Sequence, residues 1–379
     1  MEATVAIRTD YSPQIGSGHY MRCRTLAKAL QKRGCQVTFM FRYLPEFCQE
    51  ELRREGFESF SLSTPFLPSA PLPKDYHLPR HASWLGVSSL EDAEACRMAC
   101  SDRQPFDWLI VDHYSLDIIW EKATASLRRR LMVIDDLADR AHACDLLVDQ
   151  NCYRNAEHRY ESSVPASCLC LLGSQYAILR EQFRTARKRM ILRKGPVRRL
   201  LIFMGSSDSG NYTQKVLNAL AHLRSVHPEH VEVIVSRTNA HLESLRAQCN
   251  RLGWDLITDT PDMAEHMLLA DAAIGAAGST NLERFCMGLP AFVLSVAYNQ
   301  EQTQEQYNQF WGAYFVQEKE VYKDILGHPD VVVKGTVEEL AKKYNIKESN
   351  IQIQSISASV SGEMKRDAVL AVIIAAICM

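Results

Sequence analysis

Short apolar runs alternate with amphipathic helical stretches along this chain, and the series starts twice. Strand-like runs at residues 4–8, 36–41, 108–111, 131–134, 146–148 and 168–172 are interleaved with helical runs at 21–32, 45–55, 90–100 and 117–128. Residues 61–79, rich in Ser and Pro, read as a loop. A basic segment at 180–199 follows. The pattern then restarts with strands at 200–204, 231–235, 255–257, 272–274 and 291–296 and helices at 211–224, 241–252, 262–269 and 281–287. Such alternation predicts α/β architecture, a mostly parallel sheet with helices on both faces. With 379 residues the chain exceeds one ordinary core. Two Rossmann-like domains are expected, 1–180 and 197–317, with 181–196 as the linker. A cleft between such halves is a usual ligand site. The tail at 318–379 reads as a closing helix, an added segment or a foreign fusion.

The bulk numbers narrow the function classes. Basic and acidic side chains number 43 and 45, so nothing favours a nucleic-acid partner. Twelve cysteines are scattered without a Cys-x-x-Cys pair, which predicts reduced thiols of a cytoplasmic protein rather than a metal or disulfide framework. The start lacks the basic region and apolar core of a signal peptide, and the apolar run at 368–379 is too short for a spanning helix. A monomer without membrane span, metal or cofactor is expected.

Three sets of loops can carry chemistry. Gly16-Ser17-Gly18-His19-Tyr20-Met21-Arg22-Cys23 follows the first strand and opens a helix. It places a titratable ring where open α/β sheets bind ligands. A lone loop histidine is also a common surface or capping residue, and both readings stand. Asp112 and Tyr114, Asp135 and Asp136, and Asp149 and Asn151 close three apolar strands. They form a polar, sugar-binding floor on one reading and loop caps on the other. In the second half, Gly205-Ser206-Ser207-Asp208 and Gly275-Ala276-Ala277-Gly278-Ser279-Thr280 each join a strand to a helix. Helix starts present N–H groups to anions. Neither loop ends in Gly-Lys-Ser/Thr or matches Gly-x-Gly-x-x-Gly, so a nucleotide diphosphate is favoured over a nicotinamide cofactor. Glu283 lies three residues after Thr280: a ribose ligand or a capping box. The basic run 184–199 reads as a solvated linker, with steering of a diphosphate as the rival.

Taken together, these loops resemble the UDP-sugar hydrolase family of pseudaminic acid biosynthesis, whose product feeds flagellin glycosylation. The resemblance rests on Gly16-x-Gly18-His19-x-Met21-Arg22-Cys23, Val111-Asp-His-Tyr114, Ile134-Asp-Asp-Leu-Ala-Asp-Arg140 and Asp145-Leu-Leu-Val-Asp-Gln-Asn151. It continues through Leu171-Leu-Gly-Ser-Gln-Tyr-Ala-Ile-Leu-Arg180, Asp262-Met-Ala-Glu265, Gly278-Ser-Thr-Asn-Leu-Glu-Arg284, Gly288-Leu-Pro290 and Asn299-Gln300. The second-half set is also similar to the lipid-II-forming glycosyltransferase, a GT-B relative. Departures are Ser206 and Ala277 where glycine is common, and Leu282 where Trp is frequent. The resemblance implies a GT-B fold with two Rossmann-like domains facing a cleft. It implies UDP held by the second half: backbone near Met263 at uracil, Gly205, Ser206, Gly278, Ser279 and Thr280 near the diphosphate, and Glu283 at ribose. His19 would be the general base in an inverting hydrolysis. Gly16, Gly18, Arg22, Asp112, Tyr114, Asn151, Asn299 and Gln300 would complete the substrate site. A glycosyltransferase and a non-catalytic nucleotide-sugar binder are the rivals.

Overall fold

The computed structural model describes residues 2–62, 76–151, 153, 156–191, 193, 197–206, 208–221, 228–294 and 314–316. Asn299, Gln300 and the tail at 318–379 lie outside them. The chain divides into two compact units between Ile178 and Leu179.

The first unit holds seven parallel strands: β1 (Thr4–Thr9), β2 (Gln36–Phe41), β3 (Glu58–Ser61), β4 (Phe106–Asp112), β5 (Arg128–Ile134), β6 (Leu146–Asp149) and β7 (Leu169–Leu172). Their order is β3-β2-β1-β4-β5-β6-β7. Helices α1 (Gly18–Gln31), α2 (Glu46–Arg54), α3 (Ser89–Ala99) and α4 (Ile118–Ala123) connect them. Strands buried on both faces need near-continuous apolar runs. Accordingly Val5, Ile7, Trp108 and Ile110 enter one core cluster, and Ala6, Leu109 and Val111 the other. Strand β3 escapes the sequence reading because Glu58-Ser59-Phe60-Ser61 has one apolar residue; pairing with β2 at the sheet edge supplies what its side chains do not. Helix α4 is shorter than expected. The Thr124 hydroxyl donates to the carbonyls of Trp120 and Glu121, and the chain continues as a short 3₁₀ turn, Ala125–Leu127.

The second unit contains α5 (Glu181–Arg187), β8 (Arg199–Phe203), α6 (Tyr212–Ala221), β9 (His230–Val235), α7 (Leu242–Leu252), β10 (Asp255–Thr258), α8 (Met263–Leu269), β11 (Ala272–Ala276), α9 (Thr280–Cys286), β12 (Ala291–Leu294) and β13 (Tyr314–Val316). Its parallel sheet runs β10-β9-β8-β11-β12-β13. Both sheets reverse their winding beside the first strand, between β1 and β4 and between β8 and β11. Ligands of open α/β sheets bind at the carboxyl ends of the strands at such switch points.

The basic run is not merely a solvated linker. Residues 181–187 form α5, which buries Phe183 and Ala186 in the core of the second unit. Arg193 donates to the carbonyls of Ala270, Met267 and Met287, satisfying groups that helix ends leave open.

Gly275, read as part of a phosphate turn, has a packing role. A Cβ there would lie 2.6 Å from the Phe203 carbonyl oxygen and 2.3 Å from Arg284 Nη1. Backbone cannot yield as a side chain does, so Gly275→Ala is expected to cost about 1–3 kcal/mol by overpacking. Urea denaturation of the full chain measures this; an unchanged midpoint would refute the close approach.

Candidate active site

At the first switch point, Gly16 adopts a left-handed φ of 77° and turns the chain, and α1 starts at Gly18. The helix therefore begins three residues earlier than the sequence pattern placed it. His19 belongs to its first turn rather than to a loop, and Arg22 follows one turn on, on the same side. Both reach Asp112 at the end of β4. His19 Nδ1 lies 2.5 Å from Asp112 Oδ1. Arg22 donates through Nε to Asp112 Oδ2 (2.5 Å) and through Nη2 to Oδ1 (2.7 Å). Its Nη1 donates to Asp136 Oδ2 at 2.9 Å. The Tyr114 hydroxyl donates to the other Asp136 oxygen, and its ring meets His19 edge-on at 4.4 Å between centroids.

This arrangement settles the protonation pattern by elimination. Asp112 is fully buried. Burial opposes its ionisation, but Arg22 and then His19 outweigh it and hold the carboxyl well below the usual carboxylate range. An ionised carboxylate only accepts, so the Nδ1 facing it carries the hydrogen. In neutral His19 the remaining nitrogen, Nε2, is then the basic one. It makes no hydrogen bond among the described residues. An imidazole fixed at Nδ1 by a carboxylate and basic at Nε2 is a general-base arrangement.

Arg22 and Asp112 were expected to touch substrate, yet both are buried and commit their polar atoms to one another, to His19 and to Asp136. They hold the Nδ1 side of the His19 ring. Tyr114 is likewise tied through its hydroxyl and is buried. Asn151 is half-buried beside β6, its backbone N–H donating to Asp149 Oδ1. Asp136 carries more than strand-end capping, since it joins Arg22 to Tyr114.

Behind this edge lies a buried ionisable network. The Tyr160 hydroxyl sits 3.1 Å from Asp135 Oδ2 and 2.9 Å from Asp149 Oδ2, and His142 Nδ1 lies 2.6 Å from Glu121 Oε1. Burial, with Asp136 nearby, pushes the Asp149 carboxyl up to about 8. Burial disfavours charge on His142, but Asp135 and Glu121 prevail and raise it to about 9. In both cases the folded state holds a proton that the unfolded chain has released at that pH. Their stabilisation is complete below the unfolded values and is lost as pH rises through 8 and 9. The melting temperature is therefore expected to fall between pH 7 and 9.5, less steeply in Asp149→Asn. A flat or rising profile would refute the assignment.

The second switch point treats its two turns differently. Gly205 is left-handed with open space around it, and half-buried Ser206 follows. Beyond them, Asp208 accepts from the N–H groups of Tyr212 and Thr213, so the start of α6 already holds a carboxylate. At the other turn, Gly278 and Ser279 are exposed and Thr280 half-buried; no side chain caps α9. The capping box proposed for Thr280 and Glu283 does not form. Glu283 instead accepts from Arg180 Nε and Nη2, both on Oε1, at 3.2 and 2.8 Å. Met263 is buried in the core at the start of α8. The Gln182 amide holds the approach to it, accepting from Ala264 N–H and donating to the Pro261 carbonyl. Sequence reasoning quoted Arg180 at the end of the Leu171–Arg180 motif and at the start of the basic segment but gave it no role at the site. Among the described residues no cluster of three His, Cys, Asp or Glu side chains is arranged to hold a metal ion. No helix among them is long and apolar enough to cross a membrane.

No protein-family model matches the chain. It is 33% identical over 132 residues to a spore coat polysaccharide biosynthesis protein, SpsG, of Bacillus subtilis, a match spanning 35% of this chain and 39% of that protein. It is 24% identical over 243 residues to the UDP-2,4-diacetamido-2,4,6-trideoxy-beta-L-altropyranose hydrolase of Campylobacter jejuni, covering 64% of this chain and 73% of the relative. Among solved structures, MurG of Acinetobacter baumannii superposes with a TM-score of 0.56 at 14% identity, over 100% of this chain and 99% of MurG. Arabidopsis thaliana UGT89C1 complexed with UDP-L-rhamnose gives 0.57 at 14% identity, over the whole of both chains. The fold is that of the GT-B glycosyltransferases, two parallel-sheet α/β units.

Proposed function

We propose that this chain is a UDP-sugar hydrolase that cleaves a UDP-linked 2,4-diacetamido-2,4,6-trideoxy-L-altrose to UDP and the free sugar. The observation that carries the reading is the His19–Asp112 pair at the first switch point. His19 Nε2 accepts a proton from water as the water oxygen bonds to the anomeric carbon. The carbon–oxygen bond to the diphosphate breaks from the opposite face, giving inversion, and UDP departs with the bonding electrons. Asp112 compensates the imidazolium that forms, while Arg22 keeps Asp112 ionised and in place. A positioned base of this kind contributes about 10²–10⁴-fold.

The nucleotide is assigned to the second unit. The exposed Gly278-Ser279-Thr280 turn would receive the diphosphate, with Gly205 and Ser206 beside it. Glu283 keeps Oε2 for the ribose hydroxyls while Arg180 holds Oε1. The backbone near Met263 would meet uracil. The Campylobacter relative, whose name states this reaction, supports the reading. The alternative is a glycosyltransferase, favoured by the character of the structural neighbours, in which the same base would deprotonate an acceptor hydroxyl. Incubation with the UDP-diacetamido-trideoxy-altrose and no acceptor, followed by NMR of the anomeric product, separates them. Hydrolysis with inversion is expected; turnover only after an acceptor is added would overturn it.

A further inference from the structure

Ten cysteines lie among the described residues, and eight of them are buried. The two that are not, Cys168 and Cys170, stand at the edge strand β7 beside a buried third, Cys144. Side chains two apart on a strand share a face. Accordingly Cys168, Cys170 and Leu172 all pack on the core cluster that contains Cys144. The backbone sets the meeting, because Leu169 N–H donates to the Asp145 carbonyl and brings the entry of β7 against the entry of β6. The Cys144 and Cys168 sulfurs lie 3.5 Å apart, in contact.

Cys168 has two thiol neighbours, and they are not equivalent. Cys144 reaches it from the neighbouring strand, and adjacent strands run about 4.7–4.9 Å apart, within the Cα separation of about 4.4–6.8 Å that a disulfide spans. Cys170 lies two residues along the same strand, about 6.6 Å away, at the upper limit of that range. Bonding therefore favours Cys144, whose sulfur has to close from 3.5 Å to about 2.05 Å.

We propose that Cys144 and Cys168 are a reversible redox pair, closed to a disulfide by exchange with a low-molecular-weight disulfide such as oxidised glutathione. The half-exposed Cys168 attacks the small disulfide and expels one small thiol. Cys144 then attacks the Cys168 sulfur of the mixed disulfide and expels the second. The protein dithiol is oxidised, the small disulfide is reduced to two thiols, and the two protein hydrogens leave on them. The link encloses β6 and the segment that returns from it. In that segment the Tyr153 hydroxyl and Arg159 Nη2 donate to the Asp136 carbonyl at 2.9 and 3.0 Å, and the Tyr160 hydroxyl sits on Asp135 and Asp149. Closing the base of the segment removes conformations from its opened state and so secures these contacts. Cys144 and Cys168 precede their strands, whereas Asp112 ends β4, so the bond forms at the sheet edge opposite His19. The proposal is independent of the functional reading above.

The cluster rests in the reduced form. Its mutual hydrogen bonds favour the protonated thiols: Cys144 holds that of Cys168 up to about 12, and Cys168 raises that of Cys170. The thiolate is the attacking species, so exchange is slow at neutral pH and the test runs at pH 8.5. The full chain is incubated with oxidised glutathione, alkylated in denaturant and digested without reduction. Mass spectrometry should find a peptide joining Cys144 to Cys168, which dithiothreitol separates. Hydrogen exchange at pH 7 over residues 156–164 should slow by about tenfold in the oxidised chain for amides that exchange through opening of the segment. Cys144→Ala should lose both the link and the slowing, and Cys170→Ser should keep both. Cys168→Ser, at a half-exposed position, repeats the loss should Cys144→Ala fail to fold. A lasting glutathione adduct on Cys168 with Cys144 still alkylated, a Cys168–Cys170 link, or exchange that the link leaves unchanged overturns the proposal.

Discussion

His19→Asn lowers acceptor-free UDP release by about 10²–10⁴-fold while the melting temperature stays near that of the parent chain. The asymmetry follows from geometry. Asparagine keeps an amide that can face Asp112, so the buried carboxylate retains a partner and Arg22 retains its fork. What disappears is the basic Nε2. Steady-state assays should show the loss in kcat, with KM little changed, because His19 enters the transition state rather than ground-state binding. UDP release at the parental rate in this variant would remove His19 from the base role.

Asp112→Asn is expected to fail in two ways at once. Activity falls by about 10²–10⁴-fold, because an amide donor opposite Nδ1 favours the wrong tautomer and no longer compensates the imidazolium. Stability falls as well, by about 3–5 kcal/mol, because Arg22 is left buried against a neutral group with only Asp136 opposite its charge. The pH dependence has a defined sign. The Asp112 pKa is depressed in the folded state, so its contribution is complete above the unfolded value near 3.8 and is lost as pH falls below it. Parent and variant should therefore converge in stability at acid pH and diverge at neutral pH. A variant that melts with the parent at pH 7 would show that the carboxylate carries no structural charge pairing.

Much of the fold was legible because parallel strands buried on both faces are nearly continuous apolar runs. Strands β1, β2, β4 and β9 were found to within a residue or two for that reason. Elements that lean on neighbours were not. Strand β3 has one apolar residue in four and exists through pairing with β2. Helix α5 looked like a basic linker because its apolar content is two buried side chains, Phe183 and Ala186. The site divides in the same way. Gly16, Gly18 and His19 announce a turn, and the strand ends announce carboxylates. Sequence spacing does not say that Asp112 is spent on His19 and Arg22, or that Asp208 closes the start of α6.

By itself the sequence determined two α/β units, the strand ends at which polar chemistry would collect, and a histidine at the first of them. These follow from local patterning: hydrophobic period, glycine placement and residue type. The tertiary structure decided which groups are spoken for. It joined residues about ninety positions apart into the His19–Asp112–Arg22 cluster, made Glu283 the partner of Arg180, and packed His81, Trp84 and Tyr114 against one another. The physical reason is that charge compensation and ring stacking act over a few ångströms in space, and contacts of that kind leave no periodic trace along the chain.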